Sequence, residues 1–223
     1  MQLAPAAYAQ VTPQQPQTLQ PSSNWSGYLA TNAYYTGVSA LIQAPQPYAP
    51  QALGVVASWV GIGGASTGSH DLIQAGVEEV TEGFAVGYDA WYEMLPGAAR
   101  GIALQIEPGA WVMVDIHELG FNQWRITIVN GANVFQRDFL YPSSHSSAEW
   151  IVEEPALYNG RLLPLSGVTG ANFSKMTATA NGQPASPPQL FPQSLAIVSP
   201  IGSVRAAPTG LGSDGASFSV TTI

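Results

Sequence analysis

What most limits the fold of this chain is its punctuation. From Ser22 onward, short runs of strand-forming residues alternate with Gly, Asn and Pro, and no long stretch carries a helical period. The runs fall at 24–29, 34–42, 55–62, 72–77, 88–95, 111–116, 124–129, 134–139, 162–168, 173–180, 194–198 and 216–222. Asn130-Gly131 between two of them is a strong hairpin signal, and Asn159-Gly160 and Asn181-Gly182 mark further turns. Only 186–193 hints at a short helical turn. The pattern predicts an all-β fold, a sandwich or barrel of antiparallel sheets. A chain of 223 residues is long enough for one such domain. Residues 1–21, rich in Gln, Pro and Ala, read as a flexible leader, and 22–223 as a single domain.

Composition removes several functions. Only 9% of residues are charged, with 14 acids against 6 Lys and Arg, so no basic patch for nucleic acid can be assembled. No apolar run approaches the roughly 20 residues that span a bilayer. With no cysteine, a thiol nucleophile, a Cys-based zinc site and disulfides are excluded. His70, His117 and His145 lack metal-ligand spacing. His70-Asp71 with one of the many serines gives a weak reading as a nucleophilic triad. Gly61-Ile62-Gly63-Gly64 precedes no helix, so it reads as a tight loop and not a dinucleotide site. The shortage of charge suits a protein working at low pH.

Three stretches concentrate polar chemistry in apolar surroundings. In 147–154, Glu149, Glu153 and Glu154 interleave with Trp150, Ile151 and Val152. On a strand, Ala148, Trp150 and Val152 would enter the core while Glu149, Ile151 and Glu153 share the other face. Glu149 and Glu153 would then stand about 13 Å apart, too far to share a proton, so a catalytic Glu153 needs a partner from elsewhere. Gln74 lies among strand-forming neighbours in Leu72-Ile73-Gln74-Ala75-Gly76. Asp89 and Glu93 flank Trp91, as in the walls of a ligand groove. Each stretch also has a plain reading, in which the charges sit on solvated strand faces or a blunted sheet edge.

Ser23-Asn24-Trp25-Ser26-Gly27, Ser58-Trp59-Val60-Gly61-Ile62, Leu72-Ile73-Gln74-Ala75-Gly76, Tyr88-Asp89-Ala90-Trp91-Tyr92-Glu93 and Ala148-Glu149-Trp150-Ile151-Val152-Glu153 occur in this order. In that order they resemble the blocks of the glutamic peptidases, also called eqolisins or peptidase family G1. The resemblance implies a sandwich of two bent antiparallel sheets of the concanavalin A-like lectin and glucanase type. It places a catalytic dyad on Gln74 and Glu153, not Glu149, with Trp25, Trp59, Asp89 and Glu93 in or beside the substrate cleft. It implies a secreted acid endopeptidase, acting as a monomer on polypeptides without metal or organic cofactor. Two departures stand out: Gly63 falls where fungal members commonly carry an Asp, and the disulfides of fungal members are missing, which suggests a prokaryotic branch.

Chemically, a Glu–Gln pair makes sense for peptide hydrolysis. Glu153 as carboxylate would activate water and later protonate the leaving amine, while the Gln74 amide would donate to the developing oxyanion. An unperturbed Glu titrates near about 4.3, which suits acid conditions. A glycan-active sandwich using Glu93 and Glu153, or a sugar-binding module, is the alternative, and it leaves Gln74 without a role.

Overall fold

The computed structural model describes residues 19–49, 51–65, 71–157 and 159–222. The residues before Leu19, and His70 with the four residues ahead of it, lie outside the described part, so the leader and the His70 reading do too. The strands are β1 (Gln20–Ser22), β2 (Trp25–Ala30), β3 (Tyr35–Gln43), β4 (Gln51–Gly63), β5 (Leu72–Gly83), β6 (Ala85–Met94), β7 (Arg100–Ile102) and β8 (Trp111–Gly120). They continue with β9 (Gln123–Asn130), β10 (Asn133–Leu140), β11 (Ala148–Glu153), β12 (Ala171–Ala180), β13 (Gln183–Ala185), β14 (Gln193–Val198), β15 (Val204–Pro208) and β16 (Phe218–Thr222). A single turn of helix, α1 (Pro187–Leu190), breaks the series. No helix among the described residues is long and apolar enough to cross a membrane.

The strands form a β-sandwich whose layers are continuous in hydrogen bonding. One layer runs β10-β9-β8-β3-β12 and the other β14-β2-β11-β4-β5-β6-β7, with β16 and β15 carrying the ladder from one to the other. Neighbours are antiparallel except β1, which pairs parallel with β14 and so takes Gln20 and Pro21, assigned above to the leader, into the sheet. The core between the layers is filled from alternate positions, with Trp150, Trp124, Tyr35, Phe173, Ile42 and Ile62 among its largest side chains.

The expected alternation of β11 holds: Ala148, Trp150 and Val152 are fully buried in this core. The solvated-edge reading of the same segment does not hold, because β11 lies between β2 and β4. Asn130-Gly131 opens the β9–β10 hairpin, and Asn181 and Gly182, at φ of 52° and 76°, turn β12 into β13. The run at 162–168 makes only isolated bridges, at Leu162, Leu165 and Val168. Pro164 interrupts it and cannot donate to a ladder.

Candidate active site

The cleft is laid out by the register of four neighbouring strands. Glu153 pairs with Ala57, Ala57 with Glu78, and Glu78 with Asp89. Two residues along, the row is Ile151, Trp59, Gly76 and Trp91; two further, it is Glu149, Gly61, Gln74 and Glu93. Because paired residues share a face, all twelve side-chain positions lie on the face turned away from the sandwich core. Gly76 is obligatory in the middle row, since a Cβ there would meet the Ser58 carbonyl oxygen at 2.1 Å.

A cleft of about 460 Å³ opens on this face. Gln74, Glu78, Asp89, Trp91, Glu93 and Glu153 line it, and none of the described residues lining it is a cation. Gln74 and Glu153 are not opposite one another: two strand spacings and four residues of register separate them. In a flat sheet their backbones would stand about 16 Å apart. The curl of the sheet nevertheless brings both side chains onto the wall of one cavity.

Glu153 is the most elaborately held group. Asn24 Nδ2 donates to its Oε1 at 2.9 Å, and Trp59 Nε1 donates to its Oε2 at 2.8 Å. Burial pushes its pKa up to about 7; hydrogen bonds from Trp59, Trp25 and Asn24 oppose the rise, and the charge of Glu93 adds to it. The carboxyl therefore keeps its proton at acid pH, where an unperturbed Glu would be losing it. Trp59 is fully buried, edge-on to Trp25 at 5.1 Å between ring centroids. Trp59 thus stands behind the cleft wall and grips Glu153, and Trp25 backs it.

Gln74 donates from Nε2 to Glu93 Oε2 at 2.7 Å, and its Oε1 is buried without a hydrogen-bond partner. Burial raises the Glu93 pKa, with hydrogen bonds from Gln74 and the Ala99 backbone pulling the other way. Glu78 is raised by burial and then by the charges of Asp89 and Glu79.

Two contributors escaped the sequence reading. Asn24 gave no signal of its own, since its side chain meets Glu153 only after β2 and β11 pair. Glu78 could have been found: it lies four residues after Gln74 on the same strand and so shares its face. The Asp expected at position 63 also has a counterpart. A Cβ on Gly63 would lie 2.6 Å from Asp71 Oδ2, so the Asp71 carboxylate occupies the space a side chain at 63 would enter. Among the described residues no group of three acidic or imidazole side chains is placed to hold a metal ion.

The fold is a β-sandwich, and its cleft is lined by carboxyls and one amide. The sequence model of the Peptidase A4 family matches residues 23–196, and the chain belongs to that family of peptidases. Aspergillopepsin-2 of Aspergillus niger is 25% identical over 192 residues, which cover 74% of this chain and 67% of that protein. Scytalido-glutamic peptidase, solved with a transition-state analog inhibitor, superposes with a TM-score of 0.76 at 20% identity over 90% of this chain and 98% of the other. The aspergilloglutamic peptidase of Aspergillus niger gives a TM-score of 0.67 at 24% identity, over 76% and 99% of the two chains. At these identities the structural likeness establishes the fold.

Proposed function

We propose that the protein is an acid endopeptidase in which Glu153 and Gln74 act together on the scissile peptide bond. The observation that carries this reading is the holding of Glu153: Asn24 and Trp59 each hydrogen-bond one oxygen of its carboxyl at the edge of a cleft that Gln74 also lines. A carboxyl that only needed solvation would not require a buried tryptophan and an asparagine to fix its plane.

The raised pKa changes the starting state from the carboxylate expected of an unperturbed Glu. At acid pH Glu153 enters as the neutral acid and works with both oxygens. Water attacks the carbonyl carbon and gives a proton to the unprotonated oxygen of Glu153, while the acid passes its own proton to the carbonyl oxygen. An N–H of Gln74 donates to that oxygen as charge develops on it. In collapse of the tetrahedral intermediate, Glu153 protonates the amide nitrogen, recovers a proton from a hydroxyl, and the C–N bond breaks. The carboxyl ends as it began. Each oxygen keeps a site free for this, because Asn24 and Trp59 each occupy only one position on it.

Asp89 and Glu93 belong to the same cleft, where Asp89 faces the peptide and Glu93 holds Gln74. Trp25 and Trp59 set the position of Glu153. The carboxyls raised by burial favour acid surroundings, which supports a secreted protein acting on polypeptides outside the cell. The test is hydrolysis of an unfolded protein substrate across roughly pH 3 to 9, a range that brackets carboxyl titration. The expected kcat/KM falls as pH rises through about 7, the value of Glu153. A rate that climbs through that value would make the carboxylate the working form, and no cleavage at any pH would remove the peptidase reading.

A further inference from the structure

Glu149 is an acid to which the chemistry above gives no task. It stands four residues before Glu153 on the same face of β11 and is fully buried. Leu29, Trp59 and Leu72 form an apolar cluster around its place in the sheet. By strict geometry neither of its oxygens has a hydrogen-bond partner, and the Ser147 hydroxyl lies near enough to oppose the effect of burial.

Its row supplies an explanation. Glu149 pairs with Gly61, Gly61 with Gln74, and Gln74 with Glu93. Gly61 puts no side chain between its two neighbours. A Cβ built there would lie 3.2 Å from Glu149 Oε2, with Trp59 Cζ3 at 2.9 Å and Leu72 Cδ1 at 3.0 Å beside it, so the carboxyl reaches to the glycine among apolar atoms. The strands β11 and β5 are two spacings apart, about 10 Å, a gap that a Glu and a Gln extended toward each other can close.

Both side chains hold buried acceptors without a partner: Oε1 of Gln74 and the two oxygens of Glu149. Buried acceptors without a donor are costly, and a carboxyl that takes up a proton becomes a donor. We infer that Glu149, as the neutral acid, donates a hydrogen bond over Gly61 to Oε1 of Gln74 and is the positioning residue for that amide. With its oxygen held by Glu149 and one N–H by Glu93, Gln74 has a single N–H left for the cleft. Burial supports the protonated form, driving the Glu149 pKa well above the ordinary value, with the Asp71 charge adding to the effect and Ser147 opposing it. The titratable groups around Glu149 are Asp71 at the head of β5, Tyr35 of β3, Glu93 beyond Gln74, and Glu153 on its own strand. His145, ahead of β11, turns its Nε2 to Glu118 at 3.2 Å.

This inference rests on the oxyanion role proposed for Gln74. Its test compares Glu149→Gln with Glu149→Met in peptide hydrolysis at acid pH. The Gln variant keeps an N–H that can replace the acid proton, so kcat should stay within about threefold of wild type. The Met variant has similar bulk and no donor. Its kcat should fall about 10- to 100-fold with KM little changed, the size of effect expected when a reacting group is misplaced. Equal kcat in the two variants would overturn the inference, since a merely buried acid would not distinguish them. Should the Met variant fail to fold, a loss of more than about tenfold in the Gln variant overturns it instead. A Glu153→Gln control separates the two levels of the argument: full activity there would sink the dyad itself, whatever Glu149 does.

Discussion

The outer hairpin and the cleft treat charge in opposite ways. On β9 and β10, Arg125 meets Asp138 with two parallel hydrogen bonds of 2.7 and 2.8 Å, in open water. That contact lowers the Asp138 pKa, chiefly through the Arg125 hydrogen bond. On the cleft face of β11, β5 and β6, Glu149, Glu153, Glu78 and Glu93 are all raised, each first by burial. The hairpin pairs its charges; the carboxyls of the cleft face are brought together, and burial raises each of them. A sheet has no need of such an arrangement for stability, and carboxyls perturbed together are expected where a site uses their protons.

The comparison is broken most severely at Glu153. Glu153→Gln keeps the shape and, through its one remaining oxygen, the Trp59 contact; its NH2 cannot accept from Asn24 and it cannot relay protons, so kcat should fall at least ~10³-fold. Steady-state kinetics on a variant with unchanged Tm would check it, and near-normal turnover would show that the cleft carboxyls are structural.

A smaller effect is expected on stability as pH changes. The folded pKa of Glu153, about 7, lies above its ordinary value of 4.5, so the fold binds the proton more tightly than the unfolded chain does. That contribution is complete below about pH 4.5 and is lost as pH rises through 7. Glu149, raised well above its ordinary value by burial, adds a loss of the same sign. Tm should therefore drop by roughly 5–10 °C between acid and mildly alkaline pH. Calorimetry showing a Tm that rises over this range would contradict the buried-acid picture. Smallest of all is the hairpin. Arg125→Ala should leave both Tm and turnover at wild-type values, because an exposed ion pair contributes little. A clear loss of activity would mean that β9 and β10 reach the substrate.

Much of the fold was legible because strand alternation and turn residues are local. Ala148, Trp150 and Val152 could be assigned to the core, and Asn130-Gly131 to a hairpin, from neighbours alone. β15 was not, since Val204-Arg205-Ala206-Ala207-Pro208 is short and lacks alternation, even though its partners β14 and β16 are its neighbours in the chain. Gln20 and Pro21 escaped for a different reason: their partners, Leu195 and Ala196, lie at the far end of the chain. In the site, the blocks led to Gln74, Glu153, Asp89 and Glu93, which the structure places on one cleft. Three facts were out of reach of sequence: that Trp59 lies behind the wall, that Asn24 holds Glu153, and that the Glu153 pKa is near 7. All of them arise from strands far apart in the chain closing over one another.

The central claim is that Gln74 and Glu153 work as one unit, although four residues of register separate them. A double-mutant cycle in kcat for Gln74→Ala, Glu153→Gln and the pair tests this most directly. Gln74→Ala alone should cost on the order of 10²–10³, the usual loss of one oxyanion donor. If the two residues form a dyad, the double variant should be no slower than Glu153→Gln by itself. Losses that multiply in the double variant would show two independent groups and contradict the account.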